Sequence, residues 1–545
     1  MKKQTEIIRG KLVKIREKQL LPAEITYSKG KIIAVRQVEE VPDVYILPPF
    51  TDAHVHIESS MLVPSEFARL AVVHGTGATV SDPHEIGNVL GTRGVNYMLE
   101  NGRKVPFKFY FGAPSCVPAT PFETAGAVIS PSDIEELFQN PEIKYLAEMM
   151  NWPGVLQQDA DVMEKIRIAQ KYKRPVDGHA PGLKGEQARA YAEAGISTDH
   201  ECFTAEEALD KLKSGMKILI REGSAAKNFE ALVELLHEHS SEIMFCSDDK
   251  HPDNLVEGHI NQLVARAVAK GVDVFKALRA ACINPVEHYK LDVGLLQEGD
   301  PADFILVKDL KDFKVLKTYL NGRLVASEGK SLIERVKNEV INQFEASPVR
   351  AEQLRVKAEG ENLRVIEAMD GQLITNQLIL PATIKDGFVT SNPAQDILKL
   401  VVLNRYNNNQ PSVAFIKGFG LQKGALASTV AHDSHNIIAA GSSDEELAKA
   451  INLLIGAKGG VSAVSGTKEE VLPLPVAGLM SPDDGYSVAA AYSSIDAMAK
   501  KEMGSKLDSP FMTLSFMALL VIPSLKLSDK GLFNGDKFEF SSNFA

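Results

Sequence analysis

The chain has 545 residues, 44% of them hydrophobic, and a formal net charge of −11 at pH 7. That length is too great for one core and predicts two or three domains, while an acidic balance with no basic cluster argues against nucleic-acid binding. Cys116, Cys202, Cys246 and Cys282 form no Cys-x-x-Cys pair, as expected of a reducing compartment. The charged start, Met1 through Lys18, lacks the apolar core of a signal peptide, and no later run is long enough to cross a bilayer. The expectation is a cytoplasmic protein with no membrane partner.

In chain order, residues 11–15, 25–27 and 31–35 read as short strands joined by turns such as Ser28-Lys29-Gly30. The apolar run Val44-Tyr45-Ile46-Leu47 and Pro48-Pro49 then lead into Asp52-Ala53-His54-Val55-His56. Residues i and i+2 of a strand share a side, so His54 and His56 can aim two imidazoles at one point, as divalent metals require. Alone, a His-x-His is weak, and two unrelated histidines are the commoner explanation.

Seven further β-prone runs follow, at residues 78–81, 108–111, 144–148, 175–179, 196–200, 216–220 and 243–248, separated by helical patterns such as 186–193, 205–213 and 229–239. Alternating β and α units predict a parallel sheet, and eight such units predict an α/β fold of the (β/α)8 barrel type, with its chemistry at the carboxyl ends of the strands. There lie His54 and His56 on the first strand, Glu148 on the fourth, His179 on the fifth, His200 on the sixth and Asp248 on the eighth. Singly, Glu148 reads as a loop carboxylate and His179 as a satisfied core histidine. Together, ligand-type residues at five strand ends point to a metal site.

The set resembles the amidohydrolase superfamily, and within it the bacterial adenine deaminases. The residues that carry the likeness are His54-Val55-His56-Ile57-Glu58-Ser59-Ser60, Asp82-Pro83-His84-Glu85-Ile86, Glu148-Met149-Met150-Asn151-Trp152-Pro153-Gly154, Gly178-His179-Ala180-Pro181-Gly182, Thr198-Asp199-His200-Glu201, Ser247-Asp248-Asp249 and Ala431-His432-Asp433-Ser434-His435-Asn436. The resemblance implies a small discontinuous β-sandwich from residues 1–48 and 289–340, a catalytic barrel over 49–288, and an additional C-terminal α/β domain over 341–545. Asn321-Gly322 is a strong hairpin signal within the second sandwich segment. Glu334 to Arg350 reads as a connector, Ile437-Ile438-Ala439-Ala440 as a buried strand, and Ser443 as the cap of a helix with an acidic first turn.

The chemistry implied is hydrolytic deamination of adenine to hypoxanthine and ammonia by a hydroxide held on a binuclear divalent centre, Mn2+ or Fe2+, with Zn2+ as the alternative. His54, His56 and Asp248 would hold one cation, His179 and His200 the other, and Glu148 would bridge them where many relatives use a carboxylated lysine. Asp248 is the candidate base, passing the hydroxide proton to the departing amine. Asp249 is expected on the opposite side if strand alternation persists. Mononuclear deaminases of the superfamily carry a ring-protonating glutamate three residues after the fifth-strand histidine. Here that position is Gly182, so the ring acid is left unassigned among Glu58 and Glu201, either of which equally suits the orienting of a metal ligand. His84 and Glu85 are candidate base contacts, with a strand-capping hydrogen bond as the bland reading of His84. His432 and His435 either hold a turn or reach across to the barrel mouth. A homo-oligomer is expected, as for many large barrels. Two rivals are another metal hydrolase opening a cyclic amide or a related C–N bond, and a non-catalytic barrel that binds or scaffolds.

Overall fold

The computed structural model describes residues 5–545. Strands β1 (Glu6–Lys14), β2 (Gln19–Ser28) and β3 (Lys31–Gln37) form an antiparallel meander, and β4 (Tyr45–Leu47) pairs in parallel with β1. The chain then runs through β5 (Phe50–Val55), β6 (Thr76–Ser81), β7 (Lys108–Phe111), β8 (Leu146–Met149), β9 (Val176–Gly178), β10 (Thr198–Asp199), β11 (Lys217–Arg221) and β12 (Ile243–Cys246). Each is joined in parallel to the next, by ladders or, between β7 and β8 and between β9 and β10, by the bridges Ala113–Leu146 and Val176–Ile196. A last parallel bridge, Val55 to Asp248, joins the end of β12 back to β5, so the pairings run in a ring.

Covering of both faces explains why these strands show no alternation of buried and exposed positions: every residue of β5, β6, β8 and β12 is buried. The intervening helices carry ordinary end signals. Ala205–Lys213 starts on Thr204, whose hydroxyl accepts from the Glu207 amide at 3.2 Å, has Glu206 and Glu207 in its first turn and ends on Lys211 and Lys213.

After the ring, β13 (Phe304–Val307), β14 (Val315–Leu320), β15 (Arg323–Ser327) and β16 (Lys330–Ser331) return to the first segment. β13 pairs with β4, and the two segments, expected as a sandwich, are hydrogen-bonded into one eight-stranded sheet. That sheet curls until its halves face each other: the Tyr27 ring meets Phe304 at 5.4 Å and Tyr319 at 6.5 Å. Asn321-Gly322 makes the β14–β15 turn with φ of 49° and 74°, the doubly left-handed turn its sequence predicts.

Residues 332–350 carry no helix or strand, in line with a connector. Beyond them a second eight-stranded sheet has Ile437–Gly441 buried inside it, and the helix Asp444–Ala457 packs on it, capped by Ser443, which accepts from the Glu446 amide at 3.3 Å. This region is continuous with the ring: one apolar cluster contains Val55, Ile57 and Met61 from the ring side and Ile438, Phe516 and Leu519 from the C-terminal side. Arg69 adds an ion pair to Asp484 at 2.7 Å across the same boundary.

Candidate metal centre and active site

Six side chains that the sequence singles out converge at the carboxyl ends of the ring strands. His54 lies on β5 and His56 just past it; Glu148 is on β8; His179 and His200 follow β9 and β10 by one residue; Asp248 follows β12 by two. All six are at least nine-tenths buried. The His54 and His56 Nε2 atoms approach to 3.1 Å, and Asp248 Oδ1 stands 3.6 and 3.2 Å from them. Tetrahedral ligands about 2.0–2.1 Å from one cation are about 3.3 Å apart, so this spacing is that of donors sharing an ion. Glu148 faces two ways. Its Oε1 is 3.5 Å from His56 Nε2, while its Oε2 is 3.1 Å from both His179 Nδ1 and His200 Nε2. A carboxylate so placed fits a bridge between two cations, and the residues present fit the binuclear group. Burial pushes Glu148 toward protonation, but the neighbouring His179 and His200 hold it well below the usual carboxylate range.

Asp248 takes a positive φ of 55°, a conformation that aspartate tolerates better than most residues. Its amide donates to the His54 carbonyl at 2.9 Å and its carbonyl accepts from the His56 amide at 3.3 Å, locking the seam of the ring. This turn corrects the expectation for Asp249. Alternation ends with β12 at Cys246, and Asp249 lines the same cavity as Asp248, its Oδ1 accepting from Ser59.

Arg221, the last residue of β11, was not among the sequence candidates. It donates to Asp248 Oδ2 at 2.6 Å and grips both oxygens of Glu201, all three side chains being buried. Burial would raise the Asp248 carboxyl, and the Arg221 guanidinium holds it well below its ordinary range. Arg221 therefore orients Asp248 and weakens it as a base. A cation that closes an apolar run, Lys217-Ile218-Leu219-Ile220-Arg221, was the only signal available for it. Glu201, besides this pairing, lies 3.4 Å from His200 Nε2 and 3.6 Å from His179 Nδ1. Asp82, one residue past β6, supports from the other side: its oxygens accept from the His84 amide at 3.0 Å and the Glu148 amide at 3.2 Å.

His84 and Glu85 open the helix His84–Leu90 and both line the cavity. The C-terminal residues His432 and Asp433 line it too, which brings the second region into the site. His432 Nδ1 meets one oxygen of Glu85, and His435 Nε2 meets the other. The apolar wall comes from Met150, Leu373, Phe516 and Leu519. Glu58 and His435 stand behind the lining. Glu58 accepts from the Ile86 amide at 3.2 Å, and burial lifts its pKa to about 7.

The chain matches the amidohydrolase family over residues 45–325 and the adenine deaminase C-terminal domain over residues 372–539. It is 55% identical over 539 residues to the adenine deaminase of Salinibacter ruber, with 98% of each chain covered, and 55% identical to that of Sulfurovum sp., again with 98% of each covered. The chain belongs to the adenine deaminase family. The adenine deaminase of Methanosarcina barkeri is 52% identical, with 96% of each chain covered. In this family member the C-terminal match includes His432 through His435, the segment that touches Glu85.

Proposed function

We propose that the chain is a metal-dependent (β/α)8 aminohydrolase that converts adenine and water to hypoxanthine and ammonia. The observation that carries this reading is Glu148, with one carboxylate oxygen on His56 and the other on His179 and His200, in a chain alike over 98% of its length to a named adenine deaminase. His54, His56 and Asp248 would hold one divalent cation and His179 with His200 the second, Mn2+ or Fe2+, with Zn2+ the alternative that the same donors suit. Such a pair lowers the pKa of water and so supplies a nucleophile near neutral pH.

The chain's own groups do the rest. Asp248 Oδ1, the oxygen that Arg221 leaves free, faces His54 and His56 and can take a proton from the attacking water and hand it to the amine. His84, Glu85, Asp249, His432 and Asp433 offer donors and acceptors to the edges of the purine. Leu373, Phe516 and Leu519 supply an apolar surface for its ring face and exclude water. Because the C-terminal residues close the cavity, the reading favours a free base over a nucleoside. The test is ammonia release by metal-replete protein from adenine and from adenosine. Turnover of adenine far faster than adenosine is expected; efficient turnover of adenosine with none of adenine would overturn the assignment.

A further inference from the structure

We propose that His432, from the C-terminal region, is the acid that protonates the purine ring as water adds to the amine-bearing carbon. This rests on the deaminase reading and supplies the ring acid for which Gly182 leaves no glutamate.

His435 Nδ1 accepts from the Ala431 amide at 3.2 Å, so its other nitrogen carries the hydrogen and donates to Glu85 Oε2. Burial keeps His435 neutral, lowering its pKa. The second Glu85 oxygen faces His432 Nδ1 in an ion-pair contact. The charge of Glu85 holds Nδ1 on its own side of the His432 ring, with Nε2 on the other. That Nε2 is buried, has no hydrogen-bond partner, and belongs to a residue lining the cavity. The ring packs against Phe516 at 5.3 Å with a tilt of 32°, and its backbone amide donates to Ser515 Oγ at 3.2 Å, so its direction is fixed.

The groups that face His432 are Glu85 beyond β6, Asp249 beyond β12 (Oδ1 at 3.6 Å from Nε2), and its own neighbours Asp433 and His435, with His251 farther off. Burial works against a charged His432, but Glu85 and Asp249 outweigh it and lift its pKa to about 9, so the ring carries its proton at neutral pH. The rivals are less suitably placed. Both Glu201 oxygens are bound by Arg221, Glu58 is not in the cavity wall, and His84 Nδ1 lies 3.5 Å from Glu148 Oε1, where bound cations would repel an imidazolium.

The protons balance. The His432 Nε2–H bond breaks as a ring nitrogen takes the proton and the electron pair of its C=N bond, while the water oxygen bonds to the carbon. The C–N bond to the amine then breaks, and ammonia leaves with one of the two water protons. The other returns to His432, and the products are hypoxanthine and ammonia.

The test uses full-length, metal-replete His432→Gln. Metal per chain should match the wild type, while kcat/KM for adenine falls at least a hundredfold, the scale of a lost general acid. The alkaline limb of the wild-type pH profile should disappear, and added imidazole should restore part of the rate. Should that variant fail to fold, Glu85→Gln keeps the His432 ring but removes its anion, and the alkaline limb should shift to lower pH. Histidine-labelled NMR of the apo protein should show a His432 resonance that stays cationic through pH 8. Activity of His432→Gln within threefold of wild type, an alkaline limb unmoved in Glu85→Gln, or a His432 neutral at pH 7 would overturn the proposal. A wild type that releases no ammonia from adenine would instead bring down the deaminase reading.

Discussion

Glu148→Gln removes one charge and leaves the shape, and the geometry sets the outcome. Five histidine nitrogens, those of His54, His56, His84, His179 and His200, lie within 3.7 Å of the two Glu148 oxygens, and a neutral amide cannot balance two dications. Metal content should fall below two per chain by elemental analysis, with turnover nearly abolished. One metal per chain in fully active wild type would contradict the bridge while leaving the deaminase reading intact. At Asp248 the arginine adds a second test. Asp248→Asn should lower kcat at least a hundredfold, with most metal retained, since a base contributes about 10²–10⁴-fold. Arg221→Gln leaves every first donor in place but frees Asp248 Oδ2 and Glu201. Loss of such an outer partner lowers metal affinity about 10–100-fold, so competition with a graded chelator should strip this variant first; equal resistance would show that Arg221 does not orient the ligand.

At the scale of elements, Lys526 ties two segments of the cavity wall together. It lies on the strand Leu525–Ser528, fully buried, and donates to the Leu373 carbonyl at 2.6 Å and the Phe516 carbonyl at 3.0 Å. Lys526→Met keeps the apolar stem and leaves both carbonyls unpaired, a penalty of about 1–3 kcal/mol each. Because Leu373 and Phe516 face the purine site, KM for adenine should rise more than kcat falls; equal effects on both would argue against a role in the wall. Burial lowers the Lys526 pKa to about 7, well under that of an unfolded lysine. The unfolded chain then binds the extra proton between pH 7 and about 10, so the wild type should gain stability relative to Lys526→Met as pH rises through that window. Denaturant melts at pH 7 and 9.5 measure it, and a gap that moves the other way refutes the lowered Lys526 pKa.

For the whole molecule, the ring and the C-terminal region share one apolar cluster and one cavity. Ending the chain at residue 340 would bare Ile57 and Met61 and remove His432, Asp433, Leu373 and Phe516 from the site. The truncated protein should aggregate or, if soluble, show no adenine turnover; an active truncated form would mean that the second region is dispensable. Cations that bind only the folded ring stabilise it by mass action, about 4 kcal/mol for a site at a thousandfold excess over Kd. Dialysis against a chelator should therefore lower Tm, and added Mn2+ should restore it. A Tm indifferent to both would argue that the six donors hold no cation.

Sequence by itself singled out six side chains that the fold brings together, because the period of a strand and the rule that chemistry sits at strand ends are both local. His54 and His56 share a side, and Glu148, His179, His200 and Asp248 each close or follow a buried strand. The Ser443 cap and the Asn321-Gly322 turn were legible for the same reason. Only the tertiary structure decided what meets across long separations. Arg221 reaches Asp248 and Glu201 from the neighbouring strand end, and Glu85 meets His432 and His435 some 350 positions later. Asp249 shows the boundary between the two. Alternation places a side chain only while the strand continues, and at Asp248 a left-handed backbone takes over, turning both carboxylates to one cavity.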